Sequence, residues 1–190
     1  MKLIVAITGA TGAMFGVRLL QFLKSTDVET HLVLSSWAAA TIQSETPFTA
    51  KEVSKMADYS YSNKDLGSRI SSGSFQVDGM IVIPCTMKTL ASIRIGLGDN
   101  LIARAADVIL KERKKLVLVT RETPLNDIHL ENMLFLSRMG TVILPPMPAF
   151  YNHPQSLDDV VNHIVFRTLD QFGIHMPEAE EKRWGGMLPN

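Results

Sequence analysis

Leu3-Ile4-Val5-Ala6-Ile7 runs straight into Thr8-Gly9-Ala10-Thr11-Gly12, and apolar residues at helical spacing follow (Val17, Leu19, Leu20, Leu23). The unbroken apolar run has strand length and suits a parallel strand buried on both faces. A strand that turns through glycines into a helix aims backbone N–H groups and a helix N-terminus at one spot. Nucleotide-binding α/β folds seat a phosphate there. Thr8 and Thr11 add hydroxyls. A tight turn that binds nothing has the same pattern, so the motif alone does not decide.

The spacing Gly9-x-x-Gly12-x-x-x-Gly16 is neither G-x-G-x-x-G nor a P-loop. The second strand, within Glu29–Leu34, ends in Ser35-Ser36, where a dinucleotide site places Asp or Glu for the ribose. Hydroxyls there suit a phosphate or a flavin better, which favours FMN over NAD without settling it.

Further along, strand and helix patterns alternate. A helix is expected over about 38–44, an irregular polar stretch over 45–75 with a short helix near 51–58, and a strand over 79–83 closed by Pro84. A helix starts near Thr89, and Asn100 caps another to Lys111. A strand follows at 116–119, then a helix over 126–139 stopped by Gly140 and a strand at 141–144. Pro145-Pro146-Met147-Pro148 is a stiff linker, and Ser156-x-x-Asp159 opens the last long helix, which ends before Gly173. Residues 176–190 read as a tail. The fold class is therefore α/β: a single-domain, three-layer, doubly wound parallel sheet over residues 1–190.

Composition narrows the function classes. The chain has 190 residues, 19 basic and 19 acidic, so no charge excess draws it to nucleic acid or an anionic membrane. No apolar run approaches the ~18–20 residues of a membrane-spanning helix, and the N-terminus lacks a signal-peptide pattern. The one cysteine, Cys85, excludes an intrachain disulfide and reads as an inert buried residue. The five histidines form no metal-ligand pattern, and no metal is expected. His129 reads as mid-helix, and Met80, Met133 and Met139 as core. These features point to a soluble cytoplasmic protein.

In a doubly wound sheet, ligands bind beyond the carboxyl ends of the strands. Here those ends are polar: 8–12, 35–36, Pro84-Cys85-Thr86-Met87-Lys88-Thr89, Thr120-Arg121-Glu122-Thr123-Pro124, and Phe150-Tyr151-Asn152-His153. Arg121-Glu122 fits either a rim ion pair or a phosphate clamp. Lys111 sits in a charged helix end that solvation explains, and Arg167 and Tyr151 also have ordinary surface and core readings.

Taken in order, Thr8–Gly12, Pro84–Leu90, Arg121–Leu125, His129–Met133 and Pro145–Tyr151 resemble the UbiX family of flavin prenyltransferases over about residues 1–175. The likeness extends to subunits once called phenylacrylic or hydroxyarylic acid decarboxylases. It implies a Rossmann-type, flavodoxin-like fold assembled as a homododecamer. Reduced FMN would be prenylated at N5, with ring closure at C6, by dimethylallyl monophosphate without metal. A UbiD-type decarboxylase would receive the product. By the resemblance, Gly9, Ala10, Thr11, Ser35, Thr86, Met87, Lys88, Thr89 and Arg121 bind FMN. Tyr151, Arg167 and Arg104 bind the prenyl donor, and Glu45, Lys111 and Glu122 serve the chemistry. Thr11 and Thr86 stand where many members carry Ser, and both keep the hydroxyl. The alternatives are an FMN-dependent decarboxylase of the cysteine-peptide type, which shares this fold, and an FMN-binding accessory subunit of a phenolic acid decarboxylase.

Overall fold

The structure, a computed structural model, describes residues 1–180 and 183–187. The opening apolar run forms β1 (Lys2–Ile7) at the centre of the sheet. Its side chains alternate between two cores: Leu3, Val5 and Ile7 enter one, Ile4 and Ala6 the other. β4 (Gly79–Cys85) and β5 (Lys115–Thr120) divide in the same way. Burial on both faces is why these strands show no polar alternation. Over one face lie α1 (Ala13–Leu23) and α7 (Leu157–Asp170). Over the other lie α4 (Met87–Arg94), α5 (Leu101–Lys111) and α6 (Asp127–Arg138).

All strand pairs are parallel, and the order is β3-β2-β1-β4-β5-β6, with β2 at Glu29–Leu34, β3 at Tyr59–Ser62 and β6 at Val142–Ile143. The winding direction reverses between β1 and β4, which opens a crevice at their carboxyl ends. β3 falls in the stretch expected to be irregular. It is a short, polar edge strand, and without it the remaining order is that of flavodoxin. With it, the order is the 3-2-1-4-5-6 of dinucleotide-binding folds.

Two glycines of the opening turn have distinct work. Gly12, at φ 95°, is the left-handed residue that precedes α1. A Cβ on Gly16 would lie 2.6 Å from the Ile83 carbonyl oxygen, so only glycine lets α1 settle onto the sheet. α2 (Ser36–Glu45) and α3 (Ala50–Ser54) complete the first half.

Four expectations need correction. β4 continues past Pro84 to Cys85, because a register shift between Val82 and Cys85 accommodates the missing N–H. Met139 is the C-cap of α6 and is 47% exposed, so it is not core. His129 lies in the first turn of α6, where its Nδ1 accepts the Asn126 N–H in a capping box. The supposed tail begins as structure: α8 (Pro177–Glu180) buries Met176 and Ala179 against the first core. Residues 181, 182 and 188–190 of that tail lie outside the described residues.

Candidate functional site: a capped cleft at the switch point

Strand ends and helix starts converge on a cleft of about 400 Å³ beside Gly9. Ser35 caps α2 by accepting the Ala38 N–H at 3.0 Å, and Thr86 caps α4 by accepting the Thr89 N–H at 3.2 Å. Each cap consumes only the third amide of its helix. The first two, on Ser36 and Trp37 and on Met87 and Lys88, make no hydrogen bond within the described residues. Lys88, also lining this mouth, adds an ammonium group that has no partner among the described residues. Open amides at two helix N-termini with a lysine between them form a site for an anion such as a phosphate.

The other two helix starts are filled. Asn63 supplies its backbone carbonyl to the Leu101 N–H at 2.8 Å and its Oδ1 to the Ile102 N–H at 3.0 Å, and Asn100 caps Ala103. These bonds close α5 and pin the loop after β3 to the cleft wall. At α1, Glu45 Oε2 accepts the N–H groups of Gly12 at 2.8 Å and Ala13 at 2.9 Å. The helix N-terminus that the opening motif marks for a phosphate thus already holds a carboxylate. The anion-binding capacity sits one strand to either side, at α2 and α4. Thr8 is likewise not a free donor: its hydroxyl donates to the Pro84 carbonyl at 2.7 Å and accepts the Thr86 N–H at 2.9 Å, tying β1 to β4.

Gly9 owes its place to crowding. A Cβ there would lie 2.3 Å from that of Trp37, whose ring is 74% exposed at the cleft mouth. The Gly9, Ala10 and Thr11 amides have no partner within the described residues. An aromatic wall, free amides and hydroxyls fit a flavin with its phosphate.

Gly9, Ser35, Thr86, Lys88 and Thr89 line this cleft, with Ala10, Thr11 and Met87 on the same turns. Arg121 starts where β5 ends, its N–H donating to the Cys85 carbonyl. Arg121 and Glu122 do not pair: among the described residues the guanidinium has no partner, and Glu122 Oε1 takes the Thr123 N–H at 3.0 Å. Arg104 is tied down by the Ser71 carbonyl and by Asp107 at 2.8 Å. Cys85 is fully buried, and burial pushes its thiol up to about 12, which matches the inert reading.

The remaining residues stand apart. Lys111 ends α5, about 15 Å along the axis from the turn that lines the cleft, and pairs with Glu112. Tyr151 and Arg167 line a separate pocket of about 360 Å³ between α7 and Ala179, Arg183 and Trp184. Burial and the nearby Arg167 hold the His163 imidazole in that pocket below its ordinary pKa. Sequence reading missed Asn63, Asn100 as a wall residue, and Trp37. Asn63 became visible only once β3 was placed.

Among the described residues no helix is long and apolar enough to cross a membrane, and no group of three or more His, Cys, Asp or Glu gathers as a metal site.

The flavoprotein family model matches residues 1–169. A probable UbiX-like flavin prenyltransferase of Bacillus subtilis (strain 168) is 69% identical over 186 residues, covering 98% of this chain and 90% of that protein. A dodecameric, FMN-dependent UbiX-like decarboxylase from Escherichia coli O157:H7 superposes with a TM-score of 0.96 at 62% identity, over 98% of this chain and all of that one. AnUbiX, solved with FMN and dimethylallyl pyrophosphate, gives 0.96 at 52% identity, over 98% of both chains. With the cleft, the fold and these likenesses in agreement, the chain belongs to the flavoprotein family and, within it, to the UbiX-like flavin prenyltransferases.

Proposed function

We propose that this protein transfers the dimethylallyl group of dimethylallyl monophosphate to N5 of reduced FMN, with ring closure at C6. One observation carries the reading: open amides and Lys88 at the switch-point cleft, in a chain 69% identical to a flavin prenyltransferase. Bound there, reduced flavin supplies the nucleophilic nitrogen; the chain supplies position and charge.

The α2 and α4 amides, with Lys88, Ser35 and Thr89, hold the flavin phosphate, and Trp37 covers one ring face. Loss of the donor's phosphate leaves a dianion and an allylic cation. Lys111, Arg121 and Arg167 stabilise the dianion through charge-assisted hydrogen bonds, and Arg104 and the Tyr151 hydroxyl add donors. Glu45, beside the Gly-rich turn, and Glu122 take up and return the proton displaced at ring closure. Lys111, Tyr151 and Arg167 lie outside the cleft of their own chain, so neighbouring copies deliver them. This gives the dodecamer, the state of the Escherichia coli relative, a catalytic purpose. The product goes to a UbiD-type decarboxylase, and the same reading places the protein in the cytoplasm.

Anaerobic incubation with reduced FMN and the donor, followed by mass spectrometry of the extracted flavin, tests the reading. A flavin heavier by one isoprene unit is expected with the monophosphate. AnUbiX was solved with the pyrophosphate, so that donor is a second arm, and product from it alone would replace the monophosphate. Carbon dioxide released from a phenolic acid by this chain alone would favour the decarboxylase reading instead.

A further inference from the structure

The pocket beside Arg167 is bounded on one side by α7 and on the other by Ala179, Arg183 and Trp184. What joins the two sides is Asp170. Its side chain is 11% exposed, at the end of α7, with cations converging on it. Arg183 grips it with both terminal nitrogens, Nη1 to Oδ2 at 2.9 Å and Nη2 to Oδ1 at 2.8 Å. Arg167 Nη1 donates to Oδ2 at 3.2 Å, and His175 Nδ1 lies 3.3 Å from Oδ1. Arg183 also donates through Nε to Glu180 at 3.0 Å. A two-pronged guanidinium–carboxylate contact fixes orientation as well as distance. The Arg183 hydrogen bonds hold the Asp170 carboxyl below the ordinary carboxylate range.

Two consequences follow from this arrangement. Among the described residues, Arg167 commits one of its five N–H donors to Asp170 and makes no other side-chain hydrogen bond. Its guanidinium is thus aimed without being used up. Arg183 is followed by Trp184, whose ring meets Tyr151 edge-on at 5.4 Å and 72°. Tyr151 in turn meets His163 edge-on at 5.8 Å. One carboxylate therefore sets both the arginine and the aromatic side of the pocket.

We propose that Asp170 is a positioning residue for the prenyl donor: it orients Arg167 and, through Arg183, seats the C-terminal segment against Tyr151. The proposal rests on the reading that Arg167 and Tyr151 hold the donor phosphate. It assigns Asp170 no contact with the donor itself.

The test uses the full chain, loaded with FMN, as wild type, Asp170→Asn and Arg183→Gln. Asp170→Asn keeps the shape and removes the charge. It should raise the KM for dimethylallyl monophosphate about tenfold and lower kcat less than Arg167→Ala does, since Arg167 stays in place but is less well aimed. Flavin content should not change. Hydrogen exchange across residues 174–187 should accelerate in both variants, and Arg183→Gln should raise KM in the same direction. Faster exchange with an unchanged KM would reduce Asp170 to a staple for the C-terminal segment and overturn the proposal. A raised KM with unchanged exchange would break the coupling through Arg183 and overturn it too. If Asp170→Asn fails to assemble, Arg183→Gln decides by the same two readouts. A wild-type protein that makes no prenylated flavin would remove the functional reading on which the proposal stands, a result distinct from either failure above.

Discussion

The cleft beside Gly9 is walled by the first turns of α2 and α4, each fixed by its own cap and by the strand it follows. The pocket beside Arg167 is walled by one helix face and by a C-terminal segment held through Asp170. On the proposed reading, the first would recognise its ligand largely through backbone N–H groups, which truncating a side chain does not remove. On the same reading, the second would use exposed side chains, each removable alone. The first is assembled from consecutive strand ends of one chain; the second lies between α7 and Ala179, Arg183 and Trp184. A protein built this way should hold its flavin stubbornly and lose group transfer easily.

The comparison is most directly broken by changing the cations. Arg167→Ala and Lys111→Ala should each leave FMN bound and slow prenyl transfer. A charge-assisted hydrogen bond is worth about 1.5–3 kcal/mol, or roughly ten- to hundredfold in rate if it is expressed in the transition state. Arg121→Ala, at the end of β5 next to the cleft, should also weaken FMN. Flavin absorbance after gel filtration and single-turnover mass spectrometry separate the two effects. If Arg167→Ala and Lys111→Ala turned over normally, both residues would revert to solvated surface charges. If they shed flavin, the division between the two regions would be wrong.

A smaller effect is expected at Glu45, which belongs to the first region by position. Its carboxylate takes two amides at the start of α1, where Gly12 offers no side-chain cap. Glu45→Ala should cost about 1–2 kcal/mol of stability, as losing a helix cap does, and lower the thermal midpoint. Glu45→Gln keeps an acceptor and should recover part of that stability. The proposed proton transfer should stay impaired in both variants. A Glu45→Gln protein with full activity would confine Glu45 to capping.

Helix caps also show what a sequence can carry. The caps at Asn100 and Ser156 are legible because donor and acceptor lie within one turn of each other. Glu45 caps a helix that starts 32 residues earlier, and no local pattern encodes such a pairing. The central strands are legible because burial on both faces leaves an unbroken apolar run. β3 is not, because Tyr59-Ser60-Tyr61-Ser62 is a polar edge whose strand state is fixed by pairing with β2. Missing β3 hid Asn63, and with it the closure of α5. Cleft residues on strand ends were within reach because topology puts ligands there. The distance of Lys111, Tyr151 and Arg167 from that cleft needed the folded chain.

The smallest effect is expected at the opposite edge of the sheet, where the two regions can be held constant while stability changes. His31 on β2 is fully buried, with Nε2 2.9 Å from Glu29 Oε1 and Nδ1 2.9 Å from the Tyr61 hydroxyl. Its ring stacks on Tyr59 at 5.0 Å and meets the edge of Phe75 at 5.2 Å. Burial lowers its pKa, Glu29 opposes that shift, and Arg69 and Lys2 add to it. Glu29, its carboxyl held low by the His31 hydrogen bond, stays ionised through mild acid. A folded-state pKa below the unfolded value of about 6.5 means that acidification protonates the unfolded chain first. Stability is therefore full above about pH 6.5 and falls below it, by at most about 1.4 kcal/mol per pH unit for one group. Thermal midpoints at about pH 7.5 and about pH 5.5 should show this loss in the wild type. His31→Gln should start lower and lose less over the same interval. Flavin affinity should not track the change, since His31 touches neither pocket. An equal loss in both proteins would acquit His31, and a parallel loss of flavin would mean that this edge of the sheet is coupled to the cleft after all.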